Sequence, residues 1–503
     1  MKKMKHAKKL ASLLMALVMV LGMSVGTTVT AFADETTYSI TINNSATGHT
    51  YEAYQIFTGD LSEKTENGEI TKVLSNIIWG SGVSEAGKAK LGDAAAKAET
   101  LKKEADAEAF AKEVAPYLAT VAGSANTVTT DGKYVISGLA AGYYLVKDHD
   151  SSLTGDSDAY TEFILKVVSN TTATPKSDVP EVTKKVKDTN DSTGVTSDWQ
   201  DSADYDIGDS VPFQLQATLA DNVSSYTTYK VVFHDTLSKG LTYNNDAKVY
   251  IGDAETTGFT VSPTVNEDGT TTLTVSCDDV KALGAGNNSV ITVEYTAALN
   301  GNAVAGTAGN NNEVYLEYSN NPNKSEEGDN ETGNTPEDTV VVFSYKTIIN
   351  KVDGDNKPLT GAEFTLEKYI KEANTWKAIT VAKNDDGTTF TFSGLDDGKY
   401  RLTETVTPAG YNTIDPIEFT ITAEHSVLSD TPALTSLVGN ATNGELTFAS
   451  NISEGSLSAD VVNQAGSTLP ETGGMGTTLL YIIGAILVVG AGVLLVARRR
   501  MHS

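Results

Sequence analysis

An all-β chain of tandem β-sandwiches, with one helical insertion near its start, is the fold class that this 503-residue sequence predicts. Three observations point there. Short segments alternate apolar and polar residues, as in Tyr38-Ser39-Ile40-Thr41-Ile42, Thr271-Thr272-Leu273-Thr274-Val275 and Val290-Ile291-Thr292-Val293-Glu294-Tyr295. A period of two is the pattern of strands with one buried face. Gly, Asn and Asp separate these segments and supply the turns. The third observation is an exception: Lys88 to Thr120 is dense in the helix-favouring residues Ala, Lys and Glu and stops near Pro116. Its charges read as a solvated helix face.

Taken in chain order, the first element is a processing signal. Lys2, Lys3, Lys5, Lys8 and Lys9 precede an apolar run from Leu10 to Val25, and Ala31-Phe32-Ala33 follows. This is a charged n-region, an h-region and an A-x-A cleavage site, so residues 1–33 are expected to be a signal peptide removed on export. Two breaks then divide the chain. Thr171 to Pro180 is a small, proline-containing link, and Asn320 to Asp338 is an aperiodic Asn, Glu, Gly and Pro stretch, either a linker or a long loop within a sandwich. The expected domains are 34–175, 176–343 and 344–468, followed by a tail, 469–503.

Composition fits an extracellular rod. Setting aside the five N-terminal lysines and three C-terminal arginines leaves 29 basic residues against 65 acidic ones. Nucleic acid is excluded as a partner, because that binding needs a basic face. Cys277 is the single cysteine, so no internal disulfide is possible and any covalent brace must use other chemistry.

The tail carries Leu469-Pro470-Glu471-Thr472-Gly473, then an apolar stretch from Thr477 to Ala497, then Arg498, Arg499 and Arg500. The stretch is long enough to cross a bilayer, with the arginines retained on the cytoplasmic side. This ordered combination resembles the cell-wall sorting signal that sortases read in Gram-positive bacteria. The resemblance implies that a transpeptidase cysteine cuts between Thr472 and Gly473, keeps the Thr472 carbonyl as a thioester, and passes it to an amine on peptidoglycan or on another subunit.

A second resemblance covers nearly all of residues 344–465. Lys351-Val352-Asp353, Pro358 to Leu366, Phe392-Ser393-Gly394-Leu395, Tyr400 to Thr405 and Pro408-Ala409-Gly410-Tyr411 are similar to a Cna B-type domain, an immunoglobulin-like sandwich of collagen adhesins and pilins. Many such domains cross-link themselves by a Lys–Asn isopeptide, which the resemblance assigns here to Asn463 with Glu404 assisting. Lys346 and Lys351 both lie near the first strand and differ in parity, so only one can face the core. Lys346 is the expected partner, since Lys351 sits against the Asp353-Gly354 turn.

Residues 176–343 resemble the isopeptide-forming middle domain of Gram-positive fimbrial subunits, through Pro180 to Val186, Val231 to Leu237 with Gly240 to Tyr243, and Asn312 to Asn320. Parity assigns roles independently. Val182, Lys184 and Val186 share one face of a strand, as do Asn312, Val314 and Leu316. An unpaired lysine among inward valines would be costly, so Lys184 is expected to have a special fate, with Lys185 exposed.

The chemistry follows from burial, which raises a carboxyl pKa and lowers a lysine pKa, so that both can be neutral together. A protonated Asp235 or Glu404 can polarise the Asn carbonyl while the neutral amine attacks and ammonia leaves. This single-turnover maturation does not make the protein an enzyme. His234 beside Asp235 lacks a Gly-x-Ser-x-Gly elbow, and alternation turns it outward.

In the first domain, Gly138 to Asp148 resembles the same Gly-Leu-x-x-Gly-x-Tyr-x-Leu segment, with Lys147 and Asp148 where the glutamate is expected. No lysine occurs from Asp34 to Glu63, so the standard cross-link is expected to be missing. Asn384-Asp385-Asp386-Gly387 and Asp188-Thr189-Asn190-Asp191 lack the Gly and Glu positions of an EF-hand loop and read as turns. No cofactor or metal is expected.

The leading function implied is a covalently polymerised pilus backbone, in which Thr472 is joined to Lys176 of the next subunit. Lys176, in Thr174-Pro175-Lys176, follows the first domain where backbone pilins place their acceptor lysine, although Thr replaces the usual Tyr. The implied partners are sortase, neighbouring subunits and peptidoglycan, with minor pilins and a host surface beyond them. The alternative is a monomeric wall-anchored adhesin; a secreted hydrolase lacks a catalytic constellation.

Overall fold

The computed structural model describes residues 37–66, 69–150, 152–153, 159–175, 178–325, 328, 330–379, 382–383, 387–442, 446–467 and 476–500. The signal peptide, Lys176, the Leu469 to Gly473 motif and the Asn384 to Asp386 turn lie outside these residues. The architecture is all-β with one helical insertion, as the strand pattern predicts.

The first unit has a three-stranded sheet, Tyr134–Leu139, Tyr38–Ile42 and Thr171–Ala173 in spatial order. Facing it is a larger sheet whose central strands, Tyr51–Glu66 and Gly142–Asp148, pair antiparallel. Ile40, Tyr51, Ile136 and Val146 fill the space between. The insertion forms three short helices, Glu85–Leu91, Ala94–Thr100 and Glu104–Val114. Gly92, at φ 84°, ends the first in a conformation that suits a residue without Cβ. Asp93 then caps the second by accepting from Ala96 N. Phe110 and Val114 turn inward onto Phe57, while Lys97 reaches Glu113 at 3.0 Å on the outer face.

The second unit is a two-sheet sandwich. One sheet contains Val231–Leu237 between Thr271–Cys277 and Asn310–Ser319, and the other contains Ser210–Thr218 between Val290–Leu299 and Glu181–Val186. Alternation is strict where the sheets face each other: Phe213, Leu215, Val293, Tyr295, Val314 and Leu316 point into one core. The described part of Asn320 to Asp338 packs onto this sandwich. It holds the strand Thr332–Asn334, paired to Asn310–Ser319, and buries Asn321 and Ser325.

In the third unit Tyr345–Asp353 runs parallel to Ser456–Asn463, with Asp353 opposite Asn463. The facing sheet is centred on Gly398–Val406 between Glu363–Ile370 and Ile417–His425. The helix Gly476–Arg500 follows; its 25 residues span about 37 Å at ~1.5 Å each, enough to cross a bilayer, and its apolar side chains are exposed.

Candidate functional site

Two buried lysine–carboxyl–asparagine groups lie in the sandwiches. In the second unit, Lys184 comes from the edge strand of one sheet, whereas Asp235 and Asn312 come from neighbouring strands of the other. Asn312 pairs with Leu237 in the ladder, so it is diagonal to Asp235 on the same face. Lys184, Asp235 and Asn312 are fully buried. The Lys184 Nζ contacts Asp235 Oδ1 and lies 3.3 Å from the Tyr295 hydroxyl. Tyr295 donates to Asp235 Oδ2 and accepts from Asn312 Nδ2 at 2.7 Å. Asn312 Oδ1 has no hydrogen-bond partner.

Burial sets the protonation tendencies. It pushes Lys184 below the usual ammonium range and Asp235 above the usual carboxyl range, each opposed by its charged partner. Both are drawn toward neutrality. Lys185, on the opposite parity, is partly exposed and meets the buried Asp201. His234 also turns outward, 2.9 Å from Glu317 and stacked on Tyr315.

In the third unit the structure reverses which lysine faces the core, Lys351 in place of the expected Lys346. Tyr345, Thr347, Ile349 and Lys351 share the inward face, and Lys346 points out beside Glu454 at 3.8 Å. Strand parity continues up to the Asp353 turn, so nearness to that turn does not expose Lys351. Lys351 is fully buried, and burial pushes its pKa down against the pull of Glu404 and Asp353. Its Nζ donates to the carbonyls of Val352 and Val461 at 2.9 Å each. Asn463, two residues beyond Val461, donates to both Glu404 oxygens at 3.0 Å, and its Oδ1 is unpartnered.

The first unit buries a carboxyl beside a histidine. Lys147 turns out to Asp150 at 2.7 Å, and Asp148 accepts from Thr161 N at 3.0 Å and meets His49 Nδ1 at 2.8 Å. Sequence reasoning missed this His49–Asp148 pair, although strand parity at Asp148 signals an inward carboxyl. It also missed Tyr295, which reads as an ordinary core aromatic, and the buried Lys368 described below.

Residues 207–322 match the family of Gram-positive pilin backbone subunit 2, Cna-B-like domains, and residues 346–431 match the prealbumin-like fold domain family. Residues 461–503 match the LPXTG cell wall anchor motif. The chain carries the domain set of a Gram-positive backbone pilin. It is 26% identical over 396 residues to the trypsin-resistant surface T6 protein of Streptococcus pyogenes serotype M6, covering 65% of this chain and 70% of that one. It is also 31% identical over 152 residues to fimbrial subunit type 1 of Actinomyces viscosus, covering 30% of this chain and 23% of that protein. The solved T6 backbone pilin of serotype M6 Streptococcus pyogenes shares the fold at a TM-score of 0.57 and 20% identity, over 87% of this chain and all of that one. This pilin is a structural subunit and not an enzyme, and its anchor places it on the cell wall.

Proposed function

We propose that this pilin is the repeating subunit of a covalent polymer, in which sortase joins Thr472 of one copy to Lys176 of the next, and that amides from Lys184 to Asn312 and from Lys351 to Asn463 brace it internally. The observation that carries the reading is the second unit's buried group: a lysine and a carboxyl drawn toward neutrality, beside an asparagine whose amide oxygen is unpartnered. The Lys184 amine adds to Asn312 Cγ, a proton passes through Asp235 to the leaving nitrogen, and ammonia departs. In the third unit Glu404 takes the same role; once protonated it donates to Asn463 Oδ1 after a half-turn of the amide.

The bonds would organise the load path. Tension entering at Lys176 meets Lys184 within a few residues and crosses the second unit through one amide; Lys351–Asn463 then delivers it to the strand leading to Thr472. The first unit hangs outside this path and can dispense with a cross-link. The test is Lys176→Ala in cells expressing the pilus sortase. It is expected to abolish the high-mass ladder seen after boiling in detergent while leaving wall-anchored monomer. A persisting ladder would move the acceptor to another lysine, and no ladder in the wild type would favour the monomeric adhesin.

A further inference from the structure

We propose that Asp188 and Asp204 of the second unit and His425 of the third form a site for one divalent transition-metal ion, zinc by its donor set, which pins the two units together. The sequence gives no sign of it, because the three residues meet only when the units dock. His425 Nε2 lies 3.6 Å from Asp188 Oδ2 and 3.9 Å from Asp204 Oδ1, and one donor atom from each residue falls within 4.8 Å of the others.

The hydrogen bonds around His425 point to a cation. Its side chain is 7% exposed, and its Nδ1 lies 2.8 Å from Ser202 Oγ. Ser202 donates its own proton to the Ser426 carbonyl at 2.8 Å, so its oxygen accepts from Nδ1–H. In the neutral ring Nε2 then carries a lone pair. That lone pair faces two carboxylates, which also only accept. With Nε2 deprotonated, three acceptors converge in a largely buried place. The two carboxylates call for a positive charge there, which the imidazolium proton supplies in the free protein and a bound cation supplies in its stead. In addition, Asp188 Oδ1 is buried without a partner, and Asp204 is fixed by accepting from Asp397 N at 3.1 Å through its other oxygen.

The spacing suits a metal better than direct contact. At 3.6 and 3.9 Å these pairs are too wide for hydrogen bonds. Donors ~2.0–2.1 Å from a tetrahedral zinc stand roughly 3.3–3.4 Å apart. The two histidine–carboxylate separations therefore need to shorten only by a few tenths of an ångström, and the carboxylate oxygens, within 4.8 Å of each other, close on the ion by side-chain rotation. One imidazole and two carboxylates suit zinc, whereas calcium takes about 6–8 oxygens. The Ser202 bond is the outer support that a ligating imidazole commonly has. A cleft of about 550 Å³ that all three residues line gives the ion entry and a position for water. The neighbouring group Asp191, Asp206, Asp209 and Asp396 is different, since the Lys368 ammonium already stands among its carboxylates.

Zinc titrated calorimetrically into the chelator-treated full chain is expected to bind with one-to-one stoichiometry and to raise the thermal midpoint. His425→Gln and Asp188→Asn are each expected to abolish that binding, and Ser202→Ala to weaken it about tenfold or more. Wild-type protein that binds no stoichiometric zinc, or binding that Asp188→Asn leaves unchanged, would overturn the proposal. Should His425→Gln fail to fold by circular dichroism, the wild-type titration and Asp188→Asn decide it.

Discussion

Lys368 Nζ lies 2.7 Å from Asp206 Oδ2, a contact that ties the third unit to the second with the lysine side chain wholly removed from solvent. Asp396 contacts the same ammonium, and Asp191 lies 3.4 Å away. Here the surrounding carboxylates overcome burial and hold the Lys368 pKa above its ordinary value, the opposite of Lys184 and Lys351. Lys368 is therefore a permanent cation at a joint, whereas the other two are drawn toward the neutral amine.

Lys368→Met should consequently destabilise the chain, because Asp206 and Asp396 remain buried without their counter-charge. Removing one partner of a buried pair costs roughly 3–5 kcal/mol. Denaturant unfolding of wild type and variant checks this, and a difference below about 0.5 kcal/mol would show that the docked units do not depend on the cluster.

The choice between Lys351 and Lys346 is open to intact mass measurement. If Lys184–Asn312 and Lys351–Asn463 both form, the mature chain is lighter than its sequence by two ammonia masses. Lys351→Ala is expected to restore one of them in addition to its own mass change, and Lys346→Ala none. Loss of a bond with Lys346→Ala and not with Lys351→Ala would return the role to the outward lysine.

Lys184 was legible in the sequence because Val182 and Val186 flank it on one parity, and Asn312 because Val314 and Leu316 continue its face. Lys351 was equally legible by parity, with Thr347 and Ile349 inward, but the adjacent turn argued for exposure and misdirected the choice. Tyr295 could not be read. On a buried face its ring is indistinguishable from packing, and its hydroxyl gains a role only when the opposite sheet brings Asp235 within reach. Lys368 continues the inward parity of Phe364 and Leu366 and was open to the same reading, whereas its contact with Asp206 depends on how two units dock, which no local periodicity encodes. The helical insertion was visible in composition, but its division into three helices depends on the Gly92-Asp93 break.

Acid should weaken the second unit partly through Glu317. Its carboxyl meets Lys230 at 2.7 Å and His234 at 2.9 Å, and these bonds hold its pKa down at about 2 against an ordinary 4.5. A folded value below the unfolded one gives stability that is fully present above pH 4.5 and is lost as pH falls through 2. Because the groups are partly exposed, the contribution is discounted to on the order of 1 kcal/mol. Glu317→Gln should therefore be less stable than wild type at pH 7 by about that amount, and the gap should close near pH 2. A gap that is constant with pH would remove Glu317 from the acid response.

Tyr295 is expected to position the second unit's reaction. Its hydroxyl accepts from Asn312 Nδ2 at 2.7 Å and donates to Asp235, so it fixes the amide plane that the Lys184 amine must approach. Tyr295→Phe keeps the ring stacked on Phe213, 5.4 Å between centroids, and deletes only these hydrogen bonds. A lost hydrogen bond of about 1.5 kcal/mol, spent on orientation, corresponds to roughly tenfold slower loss of ammonia. The same deletion removes an interaction that lowers the Asp235 pKa, so the carboxyl keeps its proton to higher pH. The maturation rate of refolded protein, followed by intact mass, should then fall about tenfold, with its alkaline limit displaced upward, whereas Asp235→Ala should stop the reaction. A slower rate with the wild-type pH profile would reduce Tyr295 to packing, and an unchanged rate would remove it from the site.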